Sequence, residues 1–351
     1  MPWYCLMITV THHERASPRG GERRTIFPHP RYVEAVRSAA ALITFSGEGS
    51  VVAMVGPPRA GKSTAGRAAA REVYPHSNPD SIPYVVVDCS RTDAGYMSMR
   101  YLTLDLLAQL GHPFYGDLEH SLRLKLTETN ARLQLRRAIE YRRTKLLIID
   151  EAHHLLRVKD RSGREAALES LKCLGNETGA LIFLIGGYEL LRECFCSAHM
   201  NGRLSILHFP RYGTSTSDAG CFDRILASYD VLLPWAKGHS LLEMRDLLYE
   251  GSLGSCGLVG NWILLALARM TSLRSQRLRM EHFKSARYKQ QLAEIAEDIS
   301  FGESALQPIE KDHIGALEIA PITDISGRKI VRRPGKRLPK RDPVGNAERQ
   351  R

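Results

Sequence analysis

The stretch "VVAMVGPPRAGKSTAGRAAAREVY", residues 51–74, constrains the fold more than any other part of the chain. Five apolar residues in succession, Val51–Val55, read as a strand buried on both faces. The loop that follows fits G-x-x-x-x-G-K-[ST], the Walker A pattern, through Gly56, Pro57, Pro58, Arg59, Ala60, Gly61, Lys62, Ser63 and Thr64. The glycines let backbone N–H groups turn inward around phosphates, and the Ala-rich helix behind them points its positive end at the same place. Lys62 is placed to reach the β- and γ-phosphates of ATP, and the Ser63 hydroxyl to bind Mg2+.

A second apolar run, "KLLIIDEAHH", ends 88 residues after Lys62 in Asp150 and Glu151. Asp150 would hold the magnesium through water, and Glu151 would polarise the attacking water, so the expectation is hydrolysis and not binding alone. The letters Asp-Glu-Ala-His also spell a helicase signature. That reading requires a second nucleotide-grasping α/β domain, whereas the chain beyond the last strand is short and helical. A metal site at His153 and His154 is disfavoured, because neighbours on a helix diverge by about 100°.

The remaining pattern fixes the class. Strand-like runs at 51–55, 84–88, 145–150, 180–185 and 204–209 alternate with helical stretches, which implies a parallel five-stranded sheet covered by helices. Beyond Pro210 the strand signal stops, and 218–230, 239–250, 257–272 and 280–300 read as helices of a small lid. The expected division is a variable segment 1–28, an α/β nucleotide-binding domain 29–212, a helical lid 213–305 and a tail 306–351. One strand lies between the Gly-rich loop and the Asp-Glu strand, and a helical lid follows the sheet. This is the plan of AAA+ P-loop ATPases, in which an arginine from a neighbouring subunit completes the site. Arg203 is the first candidate, since it opens the fifth strand after a polar loop; Arg192 and Arg211 are the others.

Charge is unevenly placed. Of a net +11, residues 321–351 carry +7, with ten Lys/Arg against Asp324, Asp342 and Glu348. Rich in Pro and Gly as well, this tail has the composition of a disordered arm suited to phosphates or to an acidic partner. Seven scattered cysteines form no CxxC pair, which argues for reduced thiols, a cytoplasmic setting and no zinc. No apolar run is long enough for a membrane span.

The segments "GPPRAGKST", "KLLIIDEAHHLL", "LIFLIGGYELL", "NGRLSILHFPRY", "GSLGSCGLVGNWILLALARM" and "AEIAEDISFGE" follow one another in an order and spacing that resembles the TniB/TnsC family. These are AAA+ regulators of DNA transposition, related more distantly to MuB. The resemblance spans roughly residues 28–303, and the Gly-rich segment and the "ISFGE" end are its specific parts. It implies an ATP-dependent homo-oligomer, a ring or filament on duplex DNA, that works with a transposase and a target-selection protein. Contacts to DNA would go to phosphates without base reading, from the segment after the second strand, where Arg91, Thr92, Tyr96 and Arg100 are the candidates. The helix with Arg132, Arg136, Arg137, Arg142 and Arg143 is a second basic patch. Gly187 stands where a polar sensor such as Thr is expected in the family, which points to slow or partner-stimulated hydrolysis. A P-loop signalling or defence switch and a helicase-loader-like ATPase are the alternative readings.

Overall fold

The computed structural model describes residues 28–75, 80–89, 98–124, 126–156, 161–194, 204–286 and 291–307. Met1–Leu306 form one compact unit and Gln307–Arg351 a second, of which Gln307 alone is described.

Five strands build the sheet: β1 (Val51–Val55), β2 (Tyr84–Asp88), β3 (Leu146–Asp150), β4 (Leu181–Gly186) and β5 (Leu204–His208). All pairings are parallel, in the order β2-β3-β4-β1-β5. The strand boundaries fall within one residue of the apolar runs, and the expected parallel five-stranded sheet is borne out. The three central strands are buried at every position, whereas β2 alternates and β5 is half-buried throughout. That contrast separates strands covered on both faces from those at the sheet edges.

Side chains of period two split the core between the two faces. Val52, Met54, Leu146, Ile148, Phe183 and Ile185 pack under α1 (Pro30–Phe45) and α2 (Lys62–Val73). Val51, Ala53, Val55, Leu147, Ile149 and Leu184 face the other way. There they meet α3 (Met99–Gln109), α5 (Glu128–Arg142) and α7 (Arg161–Thr178), with α4 (Leu118–Arg123) alongside α3. Two short helices, α6 (His153–Leu156) and α8 (Glu189–Cys194), leave the ends of β3 and β4. Helix starts are marked by side-chain caps at Ser98, Asp117 and Thr127, each accepting a backbone N–H three residues on.

A third core, built around Trp262, Phe222, Phe283 and Leu248, belongs to the helical segment. Its helices are α9 (Thr216–Asp230), α10 (Arg245–Ser252), α11 (Cys256–Ser272) and α12 (Met280–Ser285). Trp262 Nε1 donates to the Phe283 carbonyl at 3.0 Å, and a Cβ at Gly251 would meet the Trp262 ring at 2.3 Å. The helix expected over 239–250 begins only at Arg245, after a 3₁₀ turn at Leu242–Met244. The stretch read as one helix over 280–300 comprises α12 and a separate α13 (Gln291–Ala305). Helix α13 turns its apolar face to the sheet domain: Ile299 is buried in that core, with Ile295, Phe301 and Ala305 against it. Apolar spacing reports that a helix has a buried face and not which core receives it, so the sequence could not separate the two docking partners. Among the described residues, Cys89, Cys173, Cys221 and Cys256 are free thiols, and no single helix is long and apolar enough to cross a membrane.

Candidate functional site

The loop Gly56–Gly61 joins β1 to α2 and is shaped by contacts that exclude side chains. A Cβ at Gly56 would meet the Phe209 carbonyl oxygen at 2.3 Å, so the loop lies against the end of β5. Arg59 and Gly61 have φ of 57° and 101°, the left-handed conformation that turns the chain into α2. Lys62 Nζ donates to the carbonyls of Gly56 at 2.9 Å and Pro57 at 2.7 Å. Burial pulls its ammonium down to about 8, with Glu151, Asp150 and Asp298 acting in the opposite sense. Desolvation destabilises the charged form, and bound phosphates would restore it.

Asp150, buried at the end of β3, accepts from Ser63 Oγ at 2.8 Å and from the Glu151 N–H at 3.1 Å. Arg67, on the next turn of α2, approaches its other oxygen at 3.5 Å. A carboxylate beside a hydroxyl at the mouth of a phosphate loop is the hard-oxygen donor set that suits Mg2+, which keeps several waters and takes the rest from phosphates. Among the described residues no cluster of three or more His, Cys, Asp or Glu could hold a metal by itself. Glu151 follows with φ 52° and a half-exposed side chain. Its carboxyl is pushed up by burial and by Asp150, against the pull of Lys62. The histidines depart from the expected divergence: their rings lie 4.2 Å apart, and His153 Nδ1 stands 3.3 Å from Glu151 Oε2.

The helical segment reaches the loop through its glycines. Ser255 Oγ donates to the Pro58 carbonyl at 3.2 Å, and a Cβ at Gly257 would stand 1.9 Å from the Arg59 carbonyl oxygen. The Gly-rich start of α11 therefore touches the Gly56–Gly61 loop itself. Gly257→Ala is expected to cost about 1–3 kcal/mol of stability, because the clash is with backbone that cannot swing away. Gly220→Ala, which meets nothing within 4 Å on α9, should be neutral or stabilising in the same thermal-unfolding comparison.

Helix α13 closes the remaining side. Glu303 accepts from Arg211 at 2.7 and 3.0 Å, Arg192 lies 4.2 Å over the Phe301 ring, and a Cβ at Gly302 would overlap the Tyr188 ring. Arg211, one of the candidates to complete a neighbour's site, has its guanidinium held within its own chain by Glu303 and by the Leu253 carbonyl at 3.3 Å. Arg192 is likewise stacked within its own subunit. Arg203 lies outside the described residues, as do Arg91, Thr92 and Tyr96. Arg100 is described, and donates to the carbonyls of Leu124 at 2.9 Å and Leu126 at 3.2 Å, so its guanidinium anchors the stretch between α4 and α5. In the second basic patch, Arg132 pairs with Glu177 and Arg142 bonds the Leu110 carbonyl, leaving Arg136, Arg137 and Arg143 as its exposed members.

One group escapes a reading of the sequence. His29 Nδ1 and the Tyr212 hydroxyl lie 2.8 Å apart, and the His29 ring stands 6.3 Å from that of Phe209, which packs on the Gly56–Gly61 loop. Arg31 fastens this corner to the helical segment through Asp218 at 3.0 Å. The signal is present in "HPRY" and "FPRY", two short aromatic motifs, but nothing in either says that they meet.

Residues 46–194 match the family model described as AAA domain. The fold is that of an AAA+ P-loop ATPase. No curated protein matches the chain in sequence. Solved structures of similar fold include the Aeropyrum pernix ORC1 protein in complex with DNA, at TM-score 0.55 and 16% identity, covering 78% of this chain and 67% of that one. The ADP form of the Aeropyrum pernix ORC2 protein gives TM-score 0.53 at 16% identity, covering 76% and 70%. Its structure with ADPNP and ADP gives 0.51 at 16% identity, covering 84% and 74%.

Proposed function

We propose that this AAA+ chain hydrolyses ATP and uses the nucleotide to control a homo-oligomer on duplex DNA, as a regulator of DNA transposition. The observation that carries the ATPase part is the convergence of Lys62, Ser63, Asp150 and Glu151 at one loop on which the lid glycines also rest. Lys62 and the loop N–H groups would hold the phosphates, with Ser63 and Asp150 on Mg2+, which neutralises charge on the phosphates when bound. Glu151 would take a proton from water as its oxygen bonds the γ-phosphorus and the bond to the bridging oxygen breaks, giving ADP and phosphate.

The resemblance to TniB/TnsC supports the DNA and transposition part, and the ORC1 neighbour, a protein solved in complex with DNA, bears on the DNA part alone. On this reading a ring or filament marks target DNA for a transposase, under the guidance of a target-selection protein, in the cytoplasm. Arg203 would complete the neighbour's site, and Arg91, Thr92 and Tyr96 would meet phosphates. The basic tail adds affinity for DNA or for an acidic partner. Hydrolysis ends the assembly, slowly, since Gly187 offers no polar group at the end of β4.

The test is electron microscopy or gel filtration with duplex DNA, with and without a non-hydrolysable ATP analogue. Assembly should require the analogue, tolerate any sequence and weaken steeply as salt rises. A chain that binds nucleotide yet forms no assembly on duplex at low salt would be a switch acting through proteins, and the DNA reading would fall.

A further inference from the structure

A general base works only if its carboxylate is aimed, and misplacement by about 1 Å can cost about a hundredfold in rate. Glu151 begins with a disadvantage here. It sits at φ 52°, in a loop just beyond β3, with its side chain 45% exposed. In the same corner, the end of β4 contributes two glycines. Gly186 has no side chain, and a Cβ on it would come within 3.7 Å of His153 Nδ1. A Cβ on Gly187 would meet nothing within 4 Å. The strand that neighbours the Asp150–Glu151 turn thus presents backbone alone, and the imidazole of His153 stands beside it.

His153 is itself well placed. It opens α6, its side chain is 14% exposed, and the His154 ring packs on it at 4.2 Å. The turn that carries it is pinned to β4 by the Ala152 N–H donating to the Ile185 carbonyl at 2.9 Å. Its Nδ1 lies 3.3 Å from Glu151 Oε2, close enough for a small rotation of the ring to bring an N–H onto that oxygen. A donor on one carboxylate oxygen leaves the other to take a proton from water.

We propose that His153 is a positioning residue for ATP hydrolysis: its Nδ1 fixes the Glu151 carboxylate. This rests on the ATPase reading above. It also gives a role to the histidine pair, which neither magnesium binding nor the phosphate loop uses.

The test is steady-state ATP hydrolysis by the full chain, with analogue affinity and thermal unfolding measured on the same preparations. His153→Phe keeps the ring and removes the donor. It should lower kcat about 10- to 100-fold, leaving KM and analogue affinity within about twofold. His153→Asn places an amide N–H where Nδ1 stands and should recover most of that loss, whereas His153→Gln, whose amide reaches the Nε2 position, should not. The double variant Glu151→Gln with His153→Phe should be no slower than Glu151→Gln alone, since the histidine acts through that carboxylate. Wild-type turnover in His153→Phe, equal losses in the Asn and Gln variants, or additive losses in the double variant would each overturn the proposal and leave the ATPase reading standing. Should His153→Phe fail to fold, the contrast between Asn and Gln decides. A wild-type chain that binds ATP and releases no phosphate, with or without duplex DNA, would overturn both.

Discussion

Lys62→Ala should abolish ATP binding at concentrations that saturate the wild type. The ammonium of Lys62 is buried in the loop, held by the carbonyls of Gly56 and Pro57. ATP would offer it two phosphate oxygens in their place. Hydrogen bonds to charged groups are worth about 1.5–3 kcal/mol each, so losing two corresponds to a dissociation constant raised on the order of 10²–10⁴-fold. Titration calorimetry with the ATP analogue measures it. The folded state should survive, because alanine removes an ammonium whose burial disfavours its charge. An affinity within about threefold of wild type would mean that the phosphates bind elsewhere.

The second large effect belongs to Glu151→Gln. The amide keeps the shape of the carboxylate and cannot accept the proton from water. General bases contribute about 10²–10⁴-fold, and kcat should fall by that factor with nucleotide affinity kept. Substitution of Asp150 would disturb binding as well, because that carboxylate holds the Ser63 hydroxyl at 2.8 Å. The two adjacent acids are thus separable by experiment: on the proposed reading Glu151 would govern the chemical step and Asp150 the assembly of the site.

The sheet is legible in the sequence because continuous apolar runs in a parallel sheet carry both strand position and burial. The phosphate loop is legible because its glycines answer a local demand of the backbone. Contacts between distant segments are not. Arg211 and Glu303 are 92 positions apart, and neither residue advertises the other. Arg211 therefore reads only as one of three candidates, behind Arg203, to complete a neighbouring subunit's site. Helix α13 reads as part of the lid, since its apolar stripe fits either core. The glycines at 254 and 257 can be seen to matter, but the reason, a backbone that abuts Tyr212 and Arg59, exists only once the helical segment is folded onto the loop. His153 is the opposite case. Its letters are conspicuous and suggest a helicase or a metal, while the 3.3 Å approach to Glu151 needs the turn after β3 to be built.

If ATP is the timer of a DNA-bound assembly, the lifetime of that assembly is its most direct measure. Wild-type and Glu151→Gln chains would be assembled on labelled duplex DNA in ATP and Mg2+, then diluted into unlabelled competitor while release is followed by fluorescence. The variant should remain bound many times longer than the wild type, and the wild type should match it when the non-hydrolysable analogue replaces ATP. Release of the variant at the wild-type rate, or faster, would contradict a timing role for hydrolysis.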